Sequence, residues 1–198
     1  MGSGPLVRVE HVEAEAIGLS RPMLAALDPW LERVGPVAFV DLETTGLPES
    51  RTAEIVEIGI VLLDPPSPFS PLSVPPDSQV SPRPQRGPEP GVRILRTLLR
   101  PGRPIPPPVS RLTGLVDADL VAAPRLPEVR TAVREALAGR LLVAHQVEFE
   151  RAFLRRDLDS RFGGAVWLDT QELLAFTHPD AADLRLETFT RRLLGREE

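Results

Sequence analysis

The sequence predicts an α/β fold in which a mixed sheet is flanked by helices, and three observations carry that expectation. Two apolar runs, residues 37–43 and 54–63, follow one another across a short turn and read as an antiparallel pair of strands. Short apolar runs then alternate with helical patterns to the end of the chain, an order that adds crossover-connected strands and helical layers to the opening pair. Hydrophobic residues make up 42% of the 198, ample for one core in a single domain of usual size with an extension.

Taken in order, residues 1–35 read as an N-terminal helical arm preceding a domain that spans 36–198. The helical pattern lies in 14–19 and again in 23–34, with Pro29 breaking the second segment or starting a new turn. Residues 65–90 hold ten prolines in 26 positions and can form neither ladder strand nor helix, so they read as an inserted loop. A proline-rich stretch can also dock an aromatic groove, but passive insertion is the preferred reading. The strand at 92–100 carries Arg93, Arg96 and Arg100 at spacings that do not share one face, so some are solvated edge charges. A rigid Pro104–Pro108 segment leads into a short helix at 109–114, and 117–121 forms another helical turn. Leu126, Val129, Val133, Ala136 and Leu137 mark an amphipathic helix stopped by Gly139. A strand at 140–144, a helix at 148–159, a strand at 165–169 and two closing helices complete the chain.

Within the first strand, Asp41 and Glu43 stand two residues apart, so their side chains project from the same face while Phe39, Val40 and Leu42 serve the sheet. Two adjacent carboxylates in a buried strand repel each other and resist ionising, and a hard divalent cation bound through oxygen is the natural compensation. An Asp-x-Glu on an exposed strand face would need no such explanation. Composition narrows the remaining possibilities. There is no cysteine, which excludes disulfides and thiolate metal sites, and no apolar run approaches the roughly 20 residues of a membrane span. The first residues lack a signal peptide's basic and apolar regions, so a cytoplasmic protein is expected, without a membrane partner. All 23 basic residues are arginine and the formal charge is -5, which argues against a broad nucleic-acid-coating surface but not against a small site.

The run Phe39-Val-Asp-Leu-Glu-Thr-Thr-Gly-Leu47 resembles the first motif of the DnaQ-like, or DEDD, 3′-to-5′ exonucleases, a superfamily that includes the proofreading subunit of bacterial DNA polymerase III. Further landmarks follow in the family's order: Leu99-Arg-Pro101, Ile105-Pro106, Arg111-Leu-Thr-Gly-Leu115, and Leu142-Val-Ala-His-Gln-Val-Glu-Phe-Glu150, which is similar to the second motif. Trp167-Leu-Asp-Thr170 and the segment 184–194 resemble the last strand and the helix that precedes the third motif. The resemblance implies a ribonuclease H-like fold with a five-stranded mixed sheet. It also implies a two-metal Mg²⁺ or Mn²⁺ site held by Asp41, Glu43 and Glu150, which would be the catalytic residues. Thr44, Thr45, Gly46 and Leu47 would contact the terminal nucleotide, with Thr113, Gly114 and His145 completing the substrate site. Single-stranded DNA or frayed 3′ ends would be bound, beside a polymerase or helicase module.

Two departures from the family pattern bear on activity. Gln146 and Glu150 stand where the family usually has Asn and Asp, and the extra methylene of Glu150 could shift a ligand by roughly 1 Å against the tolerance of a Mg²⁺ shell. The third motif, a His followed five positions later by Asp, is missing after the 184–194 segment. This is expected to reflect truncation of a longer exonuclease or a degenerate member of the family. His178 and Asp183 have the five-residue offset but precede that segment. They read as a helix-end turn and a helix N-cap, and His145 as a histidine bonded to backbone near the core. The expected function is therefore metal-dependent 3′-to-5′ removal of nucleotides from DNA ends, weak or inactive in this chain as it stands. Alternatives are a non-catalytic module that binds nucleic acid or protein on the same fold, and an RNA-trimming exoribonuclease.

Overall fold

A computed structural model describes residues 7, 9–12, 21–65 and 92–194. The helical pattern expected at 14–19 and all but the first residue of the proline-rich insertion lie outside these. Six strands form one mixed sheet: β1 (Val9–Val12), β2 (Val37–Thr44), β3 (Ile55–Leu63), β4 (Val92–Leu98), β5 (Leu141–Ala144) and β6 (Trp167–Asp169). Their spatial order is β1-β4-β3-β2-β5-β6, antiparallel from β1 to β2 and parallel from β2 through β5 to β6. The α/β class and the mixed sheet agree with expectation, but the described residues form six strands instead of five. The additional edge strand comes from the N-terminal segment, ahead of the two stretches in which a helical pattern was expected.

The helices are α1 (Arg21–Val34), α2 (Pro107–Thr113), α3 (Asp117–Leu120), α4 (Leu126–Leu137), α5 (Val147–Phe153), α6 (Thr170–Thr177) and α7 (Leu186–Leu194). A π-helical turn at Leu154–Leu158 prolongs α5. Among the described residues no helix is long and apolar enough to cross a membrane.

Alternation along β2 and β3 assigns the two faces of the sheet. Ala38, Val40 and Leu42 join Ile58, Ile60, Leu62 and Leu95 in the principal core. Val129, Val133 and Leu137 of α4, with Phe153 and Leu154, close that core. α4 starts where Glu128 accepts the Arg125 N–H at 2.6 Å and stops before Gly139, whose φ of 70° ends the helical path. On the opposite face Leu27, Trp30 and Leu31 of α1 pack over Val37, Leu63, Val92 and Val143. α1 runs through Pro29 without breaking there, because Trp30 and Leu31 beyond it are anchored on the sheet. Arg140, half-buried just ahead of β5, donates to Asp64 at 2.7 Å and reaches the carbonyls of Val37 and Leu63. Arg93 binds the same carboxylate at 2.7 Å. Although burial opposes ionisation, the two guanidinium groups hold Asp64 below the usual carboxylate range.

Candidate active site

The helix α1 covers only the Val37 end of its sheet face. Farther along β2 that face carries Phe39, Asp41 and Glu43, whose antiparallel partners on β3 are Val61, Gly59 and Glu57. Directly paired residues share a face, so Glu57 joins the two acids that spacing alone had placed together. Glu57 forms an ion pair with Arg96, the β4 residue paired with Gly59. The register shifts between Glu43 and Thr44, a bulge that ends the regular ladder immediately after the acids.

Glu150 arrives from α5 on the neighbouring side. Only 4% of it is exposed, and its Oε2 has no hydrogen-bond partner. Burial, aided by repulsion from Asp41 and Asp169, pushes its carboxyl up to about 8. Asp41 is exposed and Glu43 half-buried on the strand; partial desolvation and then Glu57 raise Asp41, while partial desolvation, Asp41 and Glu57 raise Glu43. The mutual repulsion brings Asp41, Glu43, Glu57 and Glu150 into one electrostatic cluster. An orphaned carboxylate oxygen beside crowded acids fits a hard divalent cation, and the donors are the oxygen type that Mg²⁺ and Mn²⁺ take. Among the described residues, however, no three His, Asp or Glu side chains converge as a ready metal cage.

The other residues named from sequence have local partners. Thr44 Oγ1 donates to the Gly46 carbonyl at 2.7 Å, and Thr45 Oγ1 accepts the Glu54 N–H at 2.9 Å. Together they shape a turn that leaves Leu47 67% exposed. Thr113 Oγ1 donates to Val109 O at 3.0 Å and accepts the Leu115 N–H, while Gly114 ends α2 at φ 74°. Val109 and Leu115 pack on Val56, which docks α2 beside the Glu57 end of β3.

His145 contacts the Thr170 hydroxyl through Nδ1 at 3.0 Å, and that hydroxyl donates to Ala144 O at 3.1 Å. With the threonine proton committed to the carbonyl, Nδ1 is the donor in this pair. The expected bond of His145 to backbone is thus replaced by one relayed through Thr170. His178 closes α6, meets Thr177 Oγ1 at 2.9 Å and packs edge-on against Phe189 with centroids 5.0 Å apart. Asp183 accepts the Arg185 N–H at 3.0 Å ahead of α7. His178 thus ends α6 as expected, whereas Asp183 braces the turn before α7 and its backbone partner, Arg185, precedes the first helical residue.

Three participants were missed in the sequence. Glu57 was signalled by an acid inside an apolar strand, but its place beside Glu43 needs the register. Arg96 needed the β3–β4 pairing. Asp169 accepts backbone N–H groups from Val147 and Gln146 at 2.9 and 3.2 Å, and from Gln171 and Glu172 at 2.8 and 3.4 Å. Burial opposes its charge, yet these four donors hold it below the usual carboxylate range, so one side chain caps both α5 and α6. A cavity of about 960 Å³ lies elsewhere, where Leu137, Arg140, Leu141 and Phe162 meet, and it includes none of the acids of the cluster.

Clustered acids at the end of a central strand of an α/β sheet offer the oxygen donors that hydrolytic metal chemistry uses. Residues 85–187 match the RNase T exonuclease family, and the chain belongs to it. The matched stretch contains Glu150 and Asp169 and begins beyond Asp41 and Glu43. A DNA polymerase III subunit epsilon-like protein of Rhodobacter capsulatus is 32% identical over 166 residues, covering 82% of this chain and 20% of that protein. DNA polymerase III subunit epsilon of Treponema pallidum is 32% identical over 127 residues, covering 64% and 47%. The chain therefore spans between a fifth and about half the length of these curated relatives.

Among solved structures, product-bound exonuclease I aligns with a TM-score of 0.57 and 14% identity, over 82% of this chain and 39% of that one. Exonuclease X in complex with 5′ overhanging duplex DNA gives 0.50 and 20%, over 82% and 75%. These likenesses support the ribonuclease H-like fold.

Proposed function

We propose that this chain is a metal-dependent 3′-to-5′ exonuclease domain that hydrolyses the terminal phosphodiester of DNA ends. The observation that carries the reading is the uncompensated cluster of Asp41, Glu43 and Glu150, with the buried Glu150 Oε2 left without a partner. Asp41, Glu43 and Glu150 would hold Mg²⁺ or Mn²⁺. When bound, such ions activate water and stabilise the leaving oxygen of a phosphoryl displacement. The chain's own part is to gather the acids around a scissile phosphate and to keep the terminal nucleotide against the Thr44–Leu47 turn. Thr113 and Gly114 bound the site from α2. His145 stands on the loop between β5 and α5, held by the Thr170 hydroxyl.

Single-stranded DNA or a frayed 3′ end is the proposed substrate, and a polymerase or helicase module the proposed partner. Treponema pallidum's relative is a polymerase subunit, and a 3′-5′ exonuclease DinG of Staphylococcus haemolyticus is 28% identical over 145 residues. Turnover by the three acids alone is expected to be weak. The lack of a complete acid cage among the described residues favours one second reading, a module that binds nucleic-acid ends without cutting them.

Release of mononucleotides from a 3′-labelled single strand with Mn²⁺, compared between this chain and Asp41→Ala, separates the two. Release by the wild type that disappears in the variant supports the enzyme. Tight end binding with no release supports the module.

A further inference from the structure

Arg156 sits in the π-helical turn, six residues beyond Glu150, and its side chain is 33% exposed. Its Nη2 donates to Ala53 O at 2.6 Å and Nη1 to Ser50 O at 3.2 Å. Asp157 holds the guanidinium in plane through Nε at 2.6 Å and Nη2 at 2.8 Å, and the group lies 4.7 Å above the Phe153 ring.

Both carbonyls belong to the segment that closes the turn after β2. Ala53 N donates to Ser50 O at 3.1 Å, and Ser50 N donates to Leu47 O at 3.0 Å. The other end of the segment is tied by Thr45 N to Glu54 O at 2.8 Å, and the Glu54 carboxylate accepts the Gly102 N–H at 2.9 and 3.0 Å. Between Leu47 and Glu54 only Ala53 is buried in the core. The turn is therefore fixed by polar contacts to its two neighbours far more than by apolar packing.

We propose that Arg156 is a positioning residue that sets the turn carrying Thr45, Gly46 and Leu47 in register with the helix carrying Glu150, so that a nucleic-acid 3′ end meets both at once. This rests on the exonuclease reading above. α5 also contacts β2, the strand that carries Asp41 and Glu43 and leads into the turn. A π-turn at this point is consistent with such a role, since widened turns inside helices concentrate at functional sites. The planar fork, engaging two carbonyls and one carboxylate together, suits arginine and cannot be reproduced in full by lysine.

The experiment compares binding of the 198-residue chain to a labelled linear single strand with a free 3′ end and to a circular single strand of the same length, with Ca²⁺ present. Arg156→Met keeps the aliphatic stem over Phe153 and loses every donor. Its preference for the linear strand is expected to fall about tenfold, the loss of roughly one charge-assisted hydrogen bond's worth of positioning. Arg156→Lys, which can still reach one carbonyl, should fall between. A merely structural contribution would weaken both strands alike and leave their ratio unchanged.

Should Arg156→Met fail to fold, Arg156→Lys decides by the same ratio. A wild-type preference retained in the variants overturns the positioning role and leaves the exonuclease reading standing. No preference for the linear strand in the wild type overturns that reading and takes the inference with it.

Discussion

Replacing Glu150 with Gln tests whether the buried acid is the strained centre of the site. In the folded chain its carboxyl is raised from 4.5 to about 8, chiefly by burial. Between those values the folded state retains a proton that the unfolded chain has released, so stability falls as pH rises. The contribution is fully present below about pH 4.5 and is lost as pH climbs through about 8. At roughly 1.4 kcal/mol per unit, the loss between about pH 5 and pH 8 is about 3 kcal/mol. Asp64 and Asp169 are held low and are ionised throughout this window in both states, so they add no slope. Asp41 and Glu43, both raised, act in the same direction as Glu150. Gln at 150 does not titrate and keeps the shape. Urea unfolding in EDTA should therefore show Glu150→Gln gaining about 3 kcal/mol on the wild type from pH 5 to pH 8. Adding Mn²⁺ at pH 8 should narrow that gap by stabilising the wild type selectively. Parallel wild-type and variant profiles across this range would refute the assignment of a forced proton to Glu150.

Three further outcomes are expected. Asp41→Ala should abolish Mn²⁺ binding in calorimetry while leaving the fold intact, and unchanged affinity would reject the acid cluster as the cation site. Gln146 adopts φ 72° and ψ 61°, a left-handed conformation in which Asn is enriched, so Gln146→Asn should raise unfolding stability by roughly 0.5–1 kcal/mol. Asp169→Ala, by stripping the shared acceptor from the starts of α5 and α6, should cost about 2 kcal/mol and increase amide exchange at Val147 and Gln171 above all.

Local signals carried the parts of the fold whose cause is local. The spacing of Leu126, Val129, Val133 and Leu137 marks α4 with the limits observed, because one apolar face meets one sheet. Alternation in β2 placed Asp41 and Glu43 on one side with similar directness. The strand β1 was illegible for the opposite reason. Val9 to Val12 has no buried residue, and its ladder comes from β4, some eighty positions later. The segment expected as one helix over 148–159 is α-helical only to Phe153 and then widens, a change with no periodic signature. Within the site, a motif could name Asp41, Glu43 and Glu150 as candidates. Glu57 depended on cross-strand register, Asp169 on two helix starts meeting at one carboxylate, and Arg156 on a turn brought near from a hundred residues away.

The way this fold treats its other carboxylates gives the acid cluster its meaning. Asp64 is bracketed by Arg93 and Arg140, Asp159 by Arg134 and Arg161, and Asp169 by four backbone donors. Asp159 and Asp64 are accordingly held below the ordinary range, as is Asp169. Asp41, Glu43 and Glu150 depart in the other direction. The sequence contains 23 arginines, so cations were available to neutralise them. Arg96 comes close enough to bind Glu57, and the three remaining acids are still raised. A permanent arginine partner would hold those carboxylates ionised but would occupy the space and donors that an incoming phosphate needs. An exchangeable cation would compensate the acids and leave room for the phosphate. Acids left crowded where the same fold neutralises others are what the proposed exonuclease site requires, and they come at the expense of stability.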